Sequence, residues 1–286
     1  MKENISFSKN ESITQKTERF KKELSVALQR VSQKTNQELG TKLLSDDCCV
    51  SMKGHNANKD DLLKDKEWIR HKEGLWIMNK YSLQSEEEVS DAMRAEFKDK
   101  RSQSKSELAE MISTYIMSKF IGDDYIIARA STYDDYRGVD NIIVNKKTGA
   151  VICAFDDLHE DIYNNDERDT ALEEKKQWAI KMAERGGQKI KYGFGMDNGK
   201  IIKKQLTNVP KLFLRFSVAD LDNAINSIDC SDLTNKTEGE SLIFNRIIEQ
   251  LVSQVDELRT HSDNPEYLKN LESINQLETY NYPMAA

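Results

Sequence analysis

Residues 140–157, DNIIVNKKTGAVICAFDD, place two short apolar runs on either side of a KKTG turn. Each run is too short for a helix and rich in β-branched residues, so the segment predicts an antiparallel hairpin whose register is set by its turn. Asp140 opens the first strand, while Asp156 and Asp157 close the second. Paired strands lie about 5 Å apart, so the hairpin carries all three acids to one end of a sheet. An ionised carboxylate is costly to bury without a partner, and the identity of that partner is the functional question.

Elements with their own signatures flank the hairpin. SKSELAEMISTYIMSKF places Leu108, Met111, Ile112, Tyr115 and Ile116 on one helical face, with Ser106 as a candidate cap. YIIARAS reads as a strand before the hairpin. ERDTALEEKKQWAIKMAERGG reads as a helix closed by its glycine pair. Two further strand-like runs, KIKYGFGM and PKLFLRFSV, lie on either side of a polar excursion. The expected fold class is α/β: a three-stranded antiparallel meander plus further strands, flanked by helices, over residues 104–218. A helical region over 1–103 precedes this core and another over 219–286 follows it.

In the first region Phe20, Leu24, Ala27, Leu28 and Val31 recur at helical spacing within an amphipathic helix expected from Ser12 to Leu44. Trp68 and Trp76 are expected to anchor a core, and the tail NQLETYNYPMAA to be loose.

Composition removes several classes of function. The 286 residues carry 42 Lys and Arg against 49 Asp and Glu, a net charge of -7, which argues against coating nucleic acid through bulk electrostatics. Mean hydropathy is -0.71. No run reaches membrane-spanning length, and MKENISFSKNESITQ has no apolar leader core, so a cytoplasmic location without a membrane is expected. The four cysteines show no zinc spacing and read as free thiols, with Cys153 in the core. Locally, Lys189, Lys191, Lys200, Lys203, Lys204, Lys211 and Arg215 face one acid, Asp197. That stretch could meet phosphates or simply solvate a sheet edge.

The hairpin and its flanks resemble the PD-(D/E)XK nuclease superfamily, whose core runs helix, three-stranded antiparallel meander, helix, strand. The resemblance covers residues 104–218. It implies hydrolysis of nucleic acid, DNA or RNA, with Mg²⁺ or Mn²⁺ held by Asp140, by Asp157 or Asp156, and by Glu110 or Glu107 from the preceding helix. The family's lysine, two residues after the second acid, is absent: Leu158 and His159 stand there. Strand alternation sets Asp157 with His159 on one face and Asp156 with Leu158 on the other, and favours the first pair as site-facing. The missing amine is then sought on the next helix, at Lys175 or Lys176. Lys189, Lys191, Lys203 and Lys204 are the expected nucleic-acid contacts.

Two other readings stand beside this one. The core could be an inactive nuclease-like module that binds nucleic acid, or the terminal amphipathic helices could form a protein-interaction surface, including a homo-oligomer.

Overall fold

The computed structural model describes residues 12–55, 59–159 and 165–280, with side chains of 165–169 left aside. Helix α1 (Ile13–Leu39) starts at a Ser12 capping box and stops at Gly40, whose φ of 64° ends the helix before the expected Leu44. Helices α2 (Lys59–Tyr81), α3 (Asp91–Ser102) and α4 (Lys105–Ile121) follow. Ser104, not Ser106, caps α4, accepting from the Glu107 amide at 3.0 Å. The core then runs β1 (Tyr125–Arg129), a short α5 (Thr132–Asp135), β2 (Asn141–Asn145), β3 (Val151–His159), α6 (Asn165–Glu184), β4 (Gln188–Asp197), β5 (Lys200–Val209) and β6 (Lys211–Phe216). Helices α7 (Val218–Ser227), α8 (Glu238–Ser253), α9 (Val255–Arg259) and α10 (Pro265–Glu272) complete it.

The protein is a mixed α/β fold with a four-stranded sheet ordered β1-β2-β3-β6 and a separate β4-β5 ribbon. β1, β2 and β3 form the expected antiparallel meander, whereas β6 joins β3 in parallel, with Asp156 beside Phe213 and Asp157 beside Leu214. The hairpin turn closes through the Gly149 amide on the Asn145 carbonyl at 2.8 Å. Gly149 has a φ of +65°, and a Cβ there would meet the Met196 amide at 2.2 Å, so glycine is required on both counts.

The expected polar excursion is a strand. β5 pairs with β4, setting Leu206 beside Ile190 and Ile201 beside Met196; Ile201, Leu206 and Val209 are buried while Lys200, Lys204, Gln205 and Thr207 are exposed, a half-buried pattern that polarity alone conceals.

Two apolar layers sandwich the sheet. One joins Ile127, Ile143, Cys153 and Phe155 to α1, α4 and the C-terminal helices, burying Phe20, Leu24, Tyr115, Phe244 and Leu277. The other joins Ile126, Ile142 and Ala154 to the β4-β5 ribbon through Ile190, Tyr192 and Phe194. Each fully buried large side chain contributes about 1.5–3 kcal/mol. All four cysteines are free and Cys153 is buried.

Two expectations fail here. Trp76 is 42% exposed, resting on Phe97 and Tyr136 instead of filling a core. The tail expected to be loose is packed through 280, where Leu277 is buried and Tyr280 donates to Asp124 at 2.7 Å; its last residues, 281–286, lie outside the described residues. No helix among the described residues is long and apolar enough to cross a membrane.

Candidate active site

Backbone pairing builds the acid cluster before any side chain acts. The Asp140 amide donates to the Phe155 carbonyl at 3.0 Å, which fixes Asp140 opposite the end of β3. The Asp140 carboxylate in turn accepts from the Asp157 amide at 2.6 Å. Helix α4 crosses the same end and brings Glu107 and Glu110 to a cavity of about 230 Å³ that Asp140, Asp156, Asp157, His159 and Lys175 also line. Asp140, Asp156, Asp157, His159, Glu107 and Glu110 are therefore brought together. Lys176 is not part of the lining; its neighbour Lys175 is, and it forms an ion pair with Asp156.

Alternation along β3 separates the two central acids. Asp157 shares its face with Cys153 and Phe155 and turns to α4, accepting from Ser113 Oγ at 3.2 Å and Asn141 Nδ2 at 2.9 Å. These bonds occupy one carboxylate oxygen, and the other, Oδ1, is buried without a hydrogen-bond partner. Asp156 turns the other way, to Lys175 and to Lys211, whose ammonium lies 3.8 Å from it. Both amines near the site thus converge on Asp156. Sequence reasoning had favoured the Asp157 and His159 face; the amine contact lies with Asp156, which Lys175 reaches from α6 and Lys211 from the neighbouring strand β6. Leu158 is buried and lines the cavity, as does buried His159.

The electrostatics follow from crowding and burial. Burial first, then the charges of Glu110, Asp156, Asp157 and Asp135, push the Asp140 carboxyl well above the usual range. Burial, Glu110 and Asp156 do the same to Asp157. Burial raises Glu110 to about 7, with Glu107 and Asp135 adding and the Arg129 guanidinium opposing. Burial, reinforced by Lys175, lowers Lys211 to about 8 against the pull of Asp156.

Several functional neighbours escaped sequence reasoning. Buried Arg129, at the end of β1, bridges Glu107 at 2.6 Å and Glu110 at 2.9 Å. Asn141 ties Asp157 to Thr114 and Ser113. Lys211 passes under Gly138, where a Cβ would stand 2.9 Å from its amine at a φ of +77°. A polar Asn at the head of an apolar strand was the one visible signal; Arg129 and Lys211 needed strand order to be placed.

The expected basic surface is divided. Lys191 pairs with Asp65 at 2.6 Å, and Lys203 reaches the Ser51 carbonyl at 3.3 Å. Lys189 and Lys204 are exposed on the ribbon, and Lys211 is buried beside Asp156. Ion pairing, backbone capping and burial absorb three of the cations that a linear count places on one face.

Among the described residues no group of three or more His, Cys, Asp or Glu is arranged as a metal cage. A hard cation such as Mg²⁺ needs less than that, since one or two carboxylates, waters and substrate oxygens complete its octahedron. The buried, unpartnered Asp157 Oδ1 and the desolvated Asp140 beside it fit such a minimal donor set.

Comparison with known proteins gives no match to a family model, a curated protein or a solved structure.

Proposed function

We propose that the chain is a metal-dependent nuclease of the PD-(D/E)XK type. The observation that carries the reading is the convergence of Asp140, Asp156, Asp157 and Glu110 on one cavity beside the Lys175 amine. The element order supports it: α4, the β1-β2-β3 meander, α6, then β6 parallel to β3 follow the family's core, with the β4-β5 ribbon as an insertion before β6. Lys175 stands in for the missing strand lysine. It reaches Asp156, the neighbour of Asp157, from the helix that follows.

Asp140 and Asp157 are the residues that would hold Mg²⁺ or Mn²⁺, with Glu110 beside them paired to Arg129. When bound, such an ion acidifies a water and neutralises phosphate charge. The protein's own groups do the rest. The Asp157 amide clamps Asp140, and Ser113 and Asn141 fix Asp157, so the carboxylates are positioned without rearrangement. Lys175, oriented by Asp156, holds a positive charge where negative charge develops on the phosphate. Hydrolysis adds the water oxygen to phosphorus and breaks the bond to the leaving sugar oxygen, which departs with a proton.

The test uses purified protein with DNA and RNA substrates in Mg²⁺ or Mn²⁺. Cleavage that disappears in EDTA and in a folded Asp140→Ala variant supports the reading; no cleavage of any substrate by the folded wild-type protein overturns it. One observation favours a second reading, an inactive nucleic-acid-binding module: the described residues hold no three-ligand metal group. That module binds with a steep salt dependence and cuts nothing. The terminal helices give the interaction-scaffold reading less support, because the apolar faces of α1 and α8 pack largely into the chain's own core, leaving Ile13, Val26 and Leu242 exposed.

A further inference from the structure

A second cavity, of about 610 Å³, opens from the carboxylate cluster and shares Glu107, Glu110, Asp135 and Asp140 with it. Its far wall is the helical pair α2-α3. Lys66, Ile69 and Glu73 recur at helical spacing along α2 and line the cleft; Trp76, three residues further along, lies outside that lining and adjoins it through Tyr136. Trp76 is 42% exposed and meets Tyr136, itself part of the lining, edge to face at 4.9 Å. Arg101 stacks over the Tyr136 ring at 4.6 Å.

This wall is tied down over the site. Arg101 grips Asp135 with two contacts, at 2.5 and 2.6 Å. Glu73 receives the Tyr136 hydroxyl at 3.1 Å and the Lys98 ammonium at 3.4 Å. The carboxylates therefore sit at the bottom of a recess: Glu110, Asp140, Asp156 and Asp157 are each only 5–8% exposed.

We infer that this cleft admits single-stranded nucleic acid, a free strand or an unpaired end, with bases resting on the Trp76-Tyr136-Arg101 platform while one phosphate reaches the carboxylates. The inference rests on the nuclease reading for its chemistry, and on the cleft alone for its choice of strand. A duplex keeps its bases stacked between two backbones, and a protein that must reach into a recess takes single strands or pays to unpair them. Aromatic faces accept any base, so the platform gives strand selectivity without sequence selectivity. Lys66 and Lys98 at the mouth supply phosphate contacts that the acidic floor cannot.

The experiment pairs binding with cleavage. Fluorescence anisotropy in EDTA compares a labelled single-stranded oligodeoxynucleotide, its RNA equivalent, a blunt duplex and a duplex with an unpaired overhang; the same substrates are then offered with Mn²⁺. The expected result is single-strand and overhang binding at least about tenfold tighter than the blunt duplex, with cutting confined to unpaired nucleotides. Trp76→Ala should weaken single-strand binding about tenfold with an unchanged melting temperature, and Trp76→Phe should restore most of it. Equal affinity for blunt duplex and single strand, or an unchanged affinity in Trp76→Ala, overturns the inference. If nothing is cut but single strands are still preferred, the nuclease reading fails and the strand selectivity stands.

Discussion

The carboxylate of Asp140 accepts a hydrogen bond from the backbone amide of Asp157 at 2.6 Å. Two acids seventeen positions apart are thereby held by a main-chain contact that no side-chain substitution at Asp157 removes. Asp157→Asn keeps the main-chain clamp while removing the charge and turning one side-chain acceptor into a donor, whereas Asp140→Ala removes the clamp itself. Comparing them separates geometry from electrostatics: both should lose cleavage, but only Asp140→Ala should also lower the melting temperature of the metal-free protein. Equal melting temperatures would contradict the clamp.

The amine assignment is directly testable. Lys175 pairs with Asp156 and lines the cavity, while Lys176 does not line it. Lys175→Met should reduce the cleavage rate by about 10²–10³-fold, the usual cost of deleting one preorganised charge, and Lys176→Met should leave it within about twofold. Equal losses in the two variants would place the amine elsewhere.

Stability should fall as the metal-free protein is taken from acid to neutral pH. Burial raises Glu110 from 4.5 to about 7, so between those values the folded chain keeps a proton that the unfolded chain has lost. The folded state binds more protons there, and its stability therefore decreases with rising pH across that window. Thermal melts from pH 4.5 to 8 check this, with Glu110→Gln as the reference. The variant's advantage over wild type should grow through the window and level off above it. An advantage that shrinks would refute the assignment.

Far from the site, Lys119 on α4 and Glu240 on α8 form a fully buried ion pair at 2.7 Å. Glu240 also accepts the Asp229 amide at 3.0 Å and the Thr237 amide at 2.8 Å. Lys119→Met strands a buried carboxylate and should cost about 3–5 kcal/mol in denaturant unfolding. Adding Glu240→Gln, which removes the stranded charge but keeps an acceptor, should recover a large part of that loss. No recovery would mean that the packing of Lys119, not its charge, is what matters.

The legible parts of the molecule were those written in local pattern. The hairpin at 140–157, the amphipathic faces of α1 and α4, and the glycine stop after α6 all follow from spacing along the chain. The acids could be grouped because a hairpin makes distant positions adjacent by a local rule. β5 was missed because its outward residues are Lys, Gln and Thr, and a ribbon packed on one face looks like a loop in composition. Trp76 was misplaced because a large aromatic is usually buried, and only the neighbouring Tyr136 and Phe97 reveal a surface stack. Arg129 and Lys211 come from strands whose place in the sheet is set by long-range pairing, which no short window carries.

The closing contacts of the fold also bear on how the protein is made. Helix α4 supplies Glu107 and Glu110, yet its inward face is completed by α8 and by Ile274 and Leu277, more than a hundred positions later. A chain still emerging from the ribosome has the strands and acids of the centre but not the packing that steadies the helix beside them. Competence of the proposed site is therefore withheld until α8 and the residues through Leu277 have been made, and a product truncated before them would be born inert.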